Sequence, residues 1–183
     1  MRKQRKQKRR GVGKQACLAA ATVSAMSTAT GAAQTPLPAP VAEALHLALA
    51  DERHALATYN VVLDRFGDVR PFVNIAHAEQ RHIDALMPLY QRYGIEIPVD
   101  ETEIDPQTRT LDLKGLCGVG VVAETENVRL YDEELLPRLG GYPDIERVLR
   151  ALRDASANNH LPAFRRCVAR SGRPGHGAGG GRP

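Results

Sequence analysis

Between residues 41 and 170 apolar side chains recur with the period of an α-helix, and acid or imidazole groups interrupt that apolar stripe in every segment. In the first segment Leu45, Leu49, Glu52, Leu56, Tyr59, Leu63 and Phe66 follow alternating steps of four and three, and Gly67 stops the pattern as a C-terminal cap does. The second begins near Pro71, a favourable first-turn residue, and passes through Phe72, Ile75, Glu79, His82, Leu86, Leu89 and Tyr93 to Gly94. The third runs through Leu116, Val119, Ala123, Glu126 and Leu130 and ends before Pro137. The fourth starts near Pro143 and runs through Ile145, Leu149, Leu152, Ser156, His160, Phe164 and Cys167. Glutamate is almost never fully buried without a partner. An isolated carboxylate in the interior costs several kcal/mol even after relaxation. Any fold that buries this stripe must therefore bring positive charge to Glu52, Glu79 and Glu126.

No segment shows a period of two, so the expected class is all-α. Four amphipathic helices of about 22 to 27 residues fit an antiparallel bundle. The connections after the first and third helices are short and make hairpins. The connection between them, Ile95 to Thr110, is about 16 residues long, enough to run along a bundle at roughly 3.3 Å per extended residue. Two hairpins joined by a long crossover between helices 2 and 3 is the ferritin-like arrangement, expected here over residues 41–170. Pro88 and Pro162 fall inside the second and fourth segments, where a proline either bends a helix or ends it.

Composition narrows the functional classes. The chain has 183 residues, 43% of them hydrophobic, enough to bury a core. Its net charge of +4 is misleading, because residues 1–33 hold 8 Lys/Arg and no acid, while the remainder sets 17 basic residues against 21 acidic ones. The body is therefore mildly acidic, and nucleic acid is not its expected partner. The basic start, the Ala/Thr/Ser-rich middle and Gly31-Ala32-Ala33 fit an export signal cleaved near Ala33, with Arg9-Arg10 a loose twin-arginine match. The mature protein is then expected to be secreted or in the cell envelope. The competing account keeps residues 1–33 as a basic arm that binds nucleic acid. Residues 34–40 read as a stiff Pro-rich linker and residues 171–183 as a disordered Gly/Pro-rich tail carrying His176. No run of about 18 apolar residues exists, so no membrane-spanning helix is expected.

A pair of divalent metal ions would neutralise the acids directly, because carboxylate oxygen and imidazole nitrogen are ligands that iron, manganese or zinc accepts. Di-metal carboxylate bundles take one Glu from each of two helices and Glu-x-x-His from each of the other two. Residues i and i+3 share a helix face, so both side chains of such a motif reach one centre. Glu79-Gln-Arg-His82 is a complete motif, and Glu52 and Glu126 are the single carboxylates. The fourth helix offers His160 but has Ala157 three residues before it, where the pattern calls for an acid. The expected metal set is thus Glu52, Glu79, His82, Glu126 and His160, with a gap beside Ala157.

The segments Asp51-Glu-Arg-His-Ala-Leu-Ala-Thr-Tyr59, Glu79-Gln-Arg-His82, Glu124-Thr-Glu-Asn-Val-Arg-Leu-Tyr-Asp132 and Asn159-His-Leu-Pro-Ala-Phe164 together resemble an uncharacterised ferritin-like family, domain of unknown function 2202. More distantly the chain resembles rubrerythrin, over roughly residues 41 to 169. The resemblance implies a ferritin-like bundle with those five residues as ligands to iron or manganese, zinc being an alternative. It also implies chemistry on oxygen, peroxide or ferrous iron of oxidase, peroxidase or ferroxidase type. Ala157 stands where rubrerythrin has its last Glu, and no Cys-rich rubredoxin module is present.

Other residues are weighed against the same stripe. Tyr59 and Tyr131 lie one to two turns from Glu52 and Glu126 and are read either as hydrogen-bond donors to those carboxylates or as core tyrosines. Glu124 lies about 200° from Glu126 around the helix and is expected to be exposed. His46, His54 and His77 are expected on the surface. Arg53, Arg81 and Arg129 lie beside the seam and would pair the acids in a metal-free polar network. If helices 3 and 4 are antiparallel with Glu126 and His160 level, Cys117 and Cys167 lie about 13.5 and 10.5 Å from that level in the same direction, and a disulfide is expected. The functional reading is a secreted protein with a di-metal carboxylate centre. The alternative is a non-catalytic helical bundle acting as a structural or binding module. The expected partners are metal ions, not nucleic acid, with a second copy of the chain as a candidate.

Overall fold

The computed structural model describes residues 36–171, and among them every regular element is helical. Helix α1 (Ala39–Phe66) is followed by α2 (Phe72–Tyr93), which Gly94 caps in the left-handed conformation. A single 3-10 turn, Pro106–Arg109, punctuates the connection to α3 (Leu113–Leu130). Asp112 caps α3 by accepting the Gly115 N–H at 2.7 Å. The chain continues through a wide π turn, Tyr131–Leu135, and a 3-10 turn, Leu136–Arg138. Helix α4 (Pro143–Ala155), a second π turn (Ser156–His160) and α5 (Leu161–Ser171) follow one another without a break in helical backbone. The expected fourth helix is therefore one rod with a wide turn in its middle. The expected export signal, Cys17 and most of the expected C-terminal tail with His176 lie outside the described residues.

Both prolines of uncertain effect stay inside helical rods. Pro162 follows the π turn directly, and there Leu161 N–H already reaches back to the Ser156 carbonyl. A proline lacks the N–H that an ordinary turn would need, and the widened ladder accommodates that loss. Pro137 follows the other π turn in the same way. Pro88 is exposed within α2, so the carbonyl it leaves unpaired faces water.

Contacts fix the directions of the helices. Along α1 and α2, Leu45 meets Tyr90 at one end and Tyr59 meets Phe72 at the other, an antiparallel hairpin. Helices α3 and α5 also run antiparallel, joined by Cys117–Cys167 with Cα atoms 5.9 Å apart, within disulfide reach. Beside the bridge Gly120 receives the ring of Phe164 so closely that a Cβ there would stand 2.6 Å from it. Helices α1 and α3 run in opposite directions as well, since Tyr59 pairs with Glu124 and Glu52 with Tyr131. The connection between α2 and α3 lies along α1, held by Arg53 on the Pro98 carbonyl at 2.9 Å and Arg65 on the Thr108 and Leu111 carbonyls at 2.6 and 2.9 Å.

The apolar core is divided in two. One cluster gathers Leu45, Leu49, Leu86, Tyr90, Tyr131, Leu135, Ile145 and Leu149. The other gathers Tyr59, Val62, Phe72, Ile75, Leu116, Cys117, Phe164 and Cys167. Every rod contributes a buried polar residue between the two sets: Glu52 in α1, Glu79 in α2, Glu124 in α3, and Ser156 and His160 in the π turn. The bundle thus carries a polar layer between two apolar plugs.

Candidate metal centre

Three carboxylates and two imidazoles meet in this layer. Glu52 and Glu79 are each 2% exposed, Glu124 3% and His160 4%. Glu79 stands between the two rings. Its Oε2 lies 2.8 Å from His82 Nδ1, and its Oε1 lies 3.2 Å from His160 Nδ1. On one side Glu52 Oε2 is 3.0 Å from His82 Nδ1, while Glu52 Oε1 accepts the Tyr131 hydroxyl at 2.7 Å. On the other side Glu124 Oε2 is 3.4 Å from His160 Nδ1, and Glu124 Oε1 accepts the Tyr59 hydroxyl at 2.6 Å. The imidazoles stack with centroids 5.5 Å apart. His160 Nδ1 is withdrawn from solvent and, although two carboxylates are near it, neither is in hydrogen-bonding geometry. Ligand atoms of Glu79, His82 and His160 all fall within 4.8 Å of one another.

Among the five expected ligands, Glu52, Glu79, His82 and His160 come together and Glu126 does not. Its side chain is 58% exposed and paired to Arg129 at 2.8 Å, and Glu124 takes the interior place. The inward face of α3 is Cys117, Gly120, Glu124, Asn127 and Tyr131, one residue out of step with the stripe through Val119, Ala123 and Glu126. Gly120 hides that face from a count of apolar residues, because its missing side chain is what admits Phe164. The two tyrosines do donate to buried carboxylates, each across to the other helix: Tyr59 to Glu124 and Tyr131 to Glu52. Ala157 is only half-buried, and the π turn instead brings Ser156 inward, one wide turn before His160. The layer therefore has a hydroxyl near the position of the missing acid.

None of the arginines beside the seam reaches these acids. Arg53 bonds Pro98 and pairs with Asp100, Arg81 bonds the His77 carbonyl, and Arg129 pairs with Glu126 and Glu133. His54 and His77 are exposed as expected, whereas His46 is half-buried with Nδ1 3.1 Å from the Tyr90 hydroxyl. Asp51 and Asn127 were not anticipated. Asn127 Nδ2 donates to Asp51, and Asn127 Oδ1 is buried without a partner.

Without a cation the layer balances its charge with protons. Burial pushes the Glu52 carboxyl up to about 8 against the hydrogen bond from His82, with the neighbouring Glu79 charge acting in the same direction as burial. Burial acts against both imidazolium ions, yet the adjacent carboxylates raise His82 to about 9 and His160 to about 10. Burial also opposes the Glu79 charge, but the adjacent His160 and His82 imidazoles outweigh it and hold that carboxyl well below the usual range. The protons held by His82, His160 and Glu52 thus take the part of a buried cation at neutral pH. Burial likewise lifts Asp51 to about 6, against the Asn127 bond.

The family model described as an uncharacterized protein domain, DUF2202, matches residues 42–176, and the chain belongs to that family. Searches of the curated proteins and of the solved structures give no match. Among the described residues no helix is long and apolar enough to cross a membrane.

Proposed function

We propose that this member of the DUF2202 family is an exported ferritin-like protein that holds a pair of divalent transition-metal ions, iron or manganese, in its polar layer. One observation carries the reading: three carboxylates and two imidazoles converge between two apolar plugs, with no arginine or lysine among them. Neutral imidazole and carboxylate suit such ions. His160 Nδ1, buried beside two carboxylates at 3.2 and 3.4 Å but hydrogen-bonded to neither, supports the reading as a further metal-ligating atom. Glu52 and His82 would hold one ion, Glu124 and His160 the other, and Glu79 would serve both. When bound, such a pair supplies redox and Lewis-acid chemistry toward oxygen, peroxide or ferrous iron. The chain's own contribution is to orient the ligands. Tyr131 fixes Glu52, Tyr59 fixes Glu124, and the apolar plugs exclude water on both sides. Opposed directions of α1 and α3, with the connection laid along α1, support the ferritin-like crossover. The disulfide and the basic leader support export.

A second reading, a non-catalytic bundle serving as a binding or structural module, is favoured by the proton-satisfied contacts of His82 and by Ser156 in place of an acid. Elemental analysis of untagged protein, produced with iron, manganese and zinc supplied, separates the two. The metal centre predicts about two ions per chain, lost when His82 and His160 are both replaced by alanine. A metal-free protein would leave the second reading. N-terminal sequencing of the native protein tests cleavage near Ala33.

A further inference from the structure

Beside the polar layer, between α1 and α3, lies a cavity of about 300 Å³. Its walls run from the surface inward. Asp105, Glu126 and His54 are exposed at its mouth, while Glu124 and Glu79 are buried at its inner end. Asp51 stands on the same wall. The ionisable groups lining it are five carboxyl groups, one imidazole and the Tyr59 phenol, with no Lys or Arg. Carboxylates alone do not make a site. Here they meet an independent feature: Asn127 lines the cavity, is 8% exposed, and has a carbonyl oxygen without any partner. Its amide nitrogen is committed to Asp51, which fixes the oxygen as the free end. An unpaired buried acceptor is costly, and one that stands among carboxylates suits a cation.

We infer that this cavity is the route by which divalent cations reach the polar layer, and that Asp51, Asn127 Oδ1 and Glu124 form a separate cation-binding station at its inner end. The inference rests on the metal-centre reading and adds the path to it. Clefts lined by one sign of charge concentrate the opposite ion and speed its association, with a strong dependence on salt. Glu124 belongs to both places, since one of its oxygens faces His160 and its residue lines the cavity. Asp51 and Asn127 touch no imidazole of the central cluster in this structure and serve the outer station alone.

The test uses the full chain and Mn²⁺ alone, counting bound ions by the electron paramagnetic resonance of the free ion and following loading by rapid mixing. The variants are Asp51→Asn, which preserves shape, and Asn127→Leu, which removes the amide. His82→Ala with His160→Ala marks the central ions. Each single variant is expected to lose one weakly held ion and to load the central ions about tenfold more slowly, and Asp51→Asn, which removes a charge, also to make loading less sensitive to salt. If both variants keep wild-type stoichiometry and wild-type rates while the histidine variant loses ions, the station is wrong and the metal centre stands. If the wild-type chain binds no Mn²⁺, both readings fall.

Discussion

Raising the pH of the chelated protein should unfold it, and the reason lies in the protons that hold the polar layer together. His82 and His160 are raised from 6.5 to about 9 and about 10 in the folded chain. Their contribution is complete below pH 6.5 and is lost as pH rises through those folded values. Glu52 is raised from 4.5 to about 8. The folded chain keeps a proton that the unfolded chain releases, so this contribution too declines as pH climbs from 4.5 through 8. Glu79 is depressed, so its contribution fails only in acid and is silent here. Near pH 7.5 the folded chain holds roughly two to three protons more than the unfolded chain, and each is worth about 1.4 kcal/mol per pH unit. Stability should then fall by about 3 kcal/mol per pH unit, a large fraction of the roughly 5–15 kcal/mol a domain possesses. Urea unfolding followed by far-ultraviolet circular dichroism between about pH 7 and pH 9, with chelator present, reads this directly. A midpoint that stays level or rises would refute the shared-proton account of the layer. Bound Mn²⁺ should reverse the trend, because metal takes deprotonated ligands and its binding releases protons.

Other outcomes follow from single contacts. Glu124→Ala should lower metal content while Glu126→Ala leaves it unchanged, read by elemental analysis. Gly120→Val should destabilise by about 1–3 kcal/mol in thermal or urea unfolding, because its side chain would enter the ring of Phe164. Reducing Cys117–Cys167, which are 50 residues apart, should cost about 4 kcal/mol in the chain-entropy account, measured as the drop in unfolding midpoint with reductant.

Much of the bundle was legible because its rods repeat an apolar period and their connections differ in length. The disulfide followed from placing two cysteines at one level of an antiparallel pair. The error in α3 was also legible. Cys117 and Glu126 are nine residues apart, two and a half turns at 3.6 residues per turn, so they cannot both face the interior. Cys117, Glu124 and Tyr131 are spaced by seven, about two turns, and do share a face. What periodicity could not supply was the partnership of Asp51 with Asn127, which depends on how α1 and α3 happen to be rotated against each other. Nor could it assign each tyrosine to its carboxylate, since the two helices exchange them.

The wide turn at Ser156–His160 acts as a one-residue spacer within the rod. Leu152, Ser156, His160 and Phe164 are separated by three successive steps of four, more than an ordinary helix can keep on one side. Closing this turn to ordinary α-helical pitch with no change in length would rotate everything downstream by about 100°. Phe164 would leave the notch at Gly120 and Cys167 would swing away from Cys117. A rod that ran through this point at the ordinary pitch would lose its covalent clasp and its aromatic wedge together.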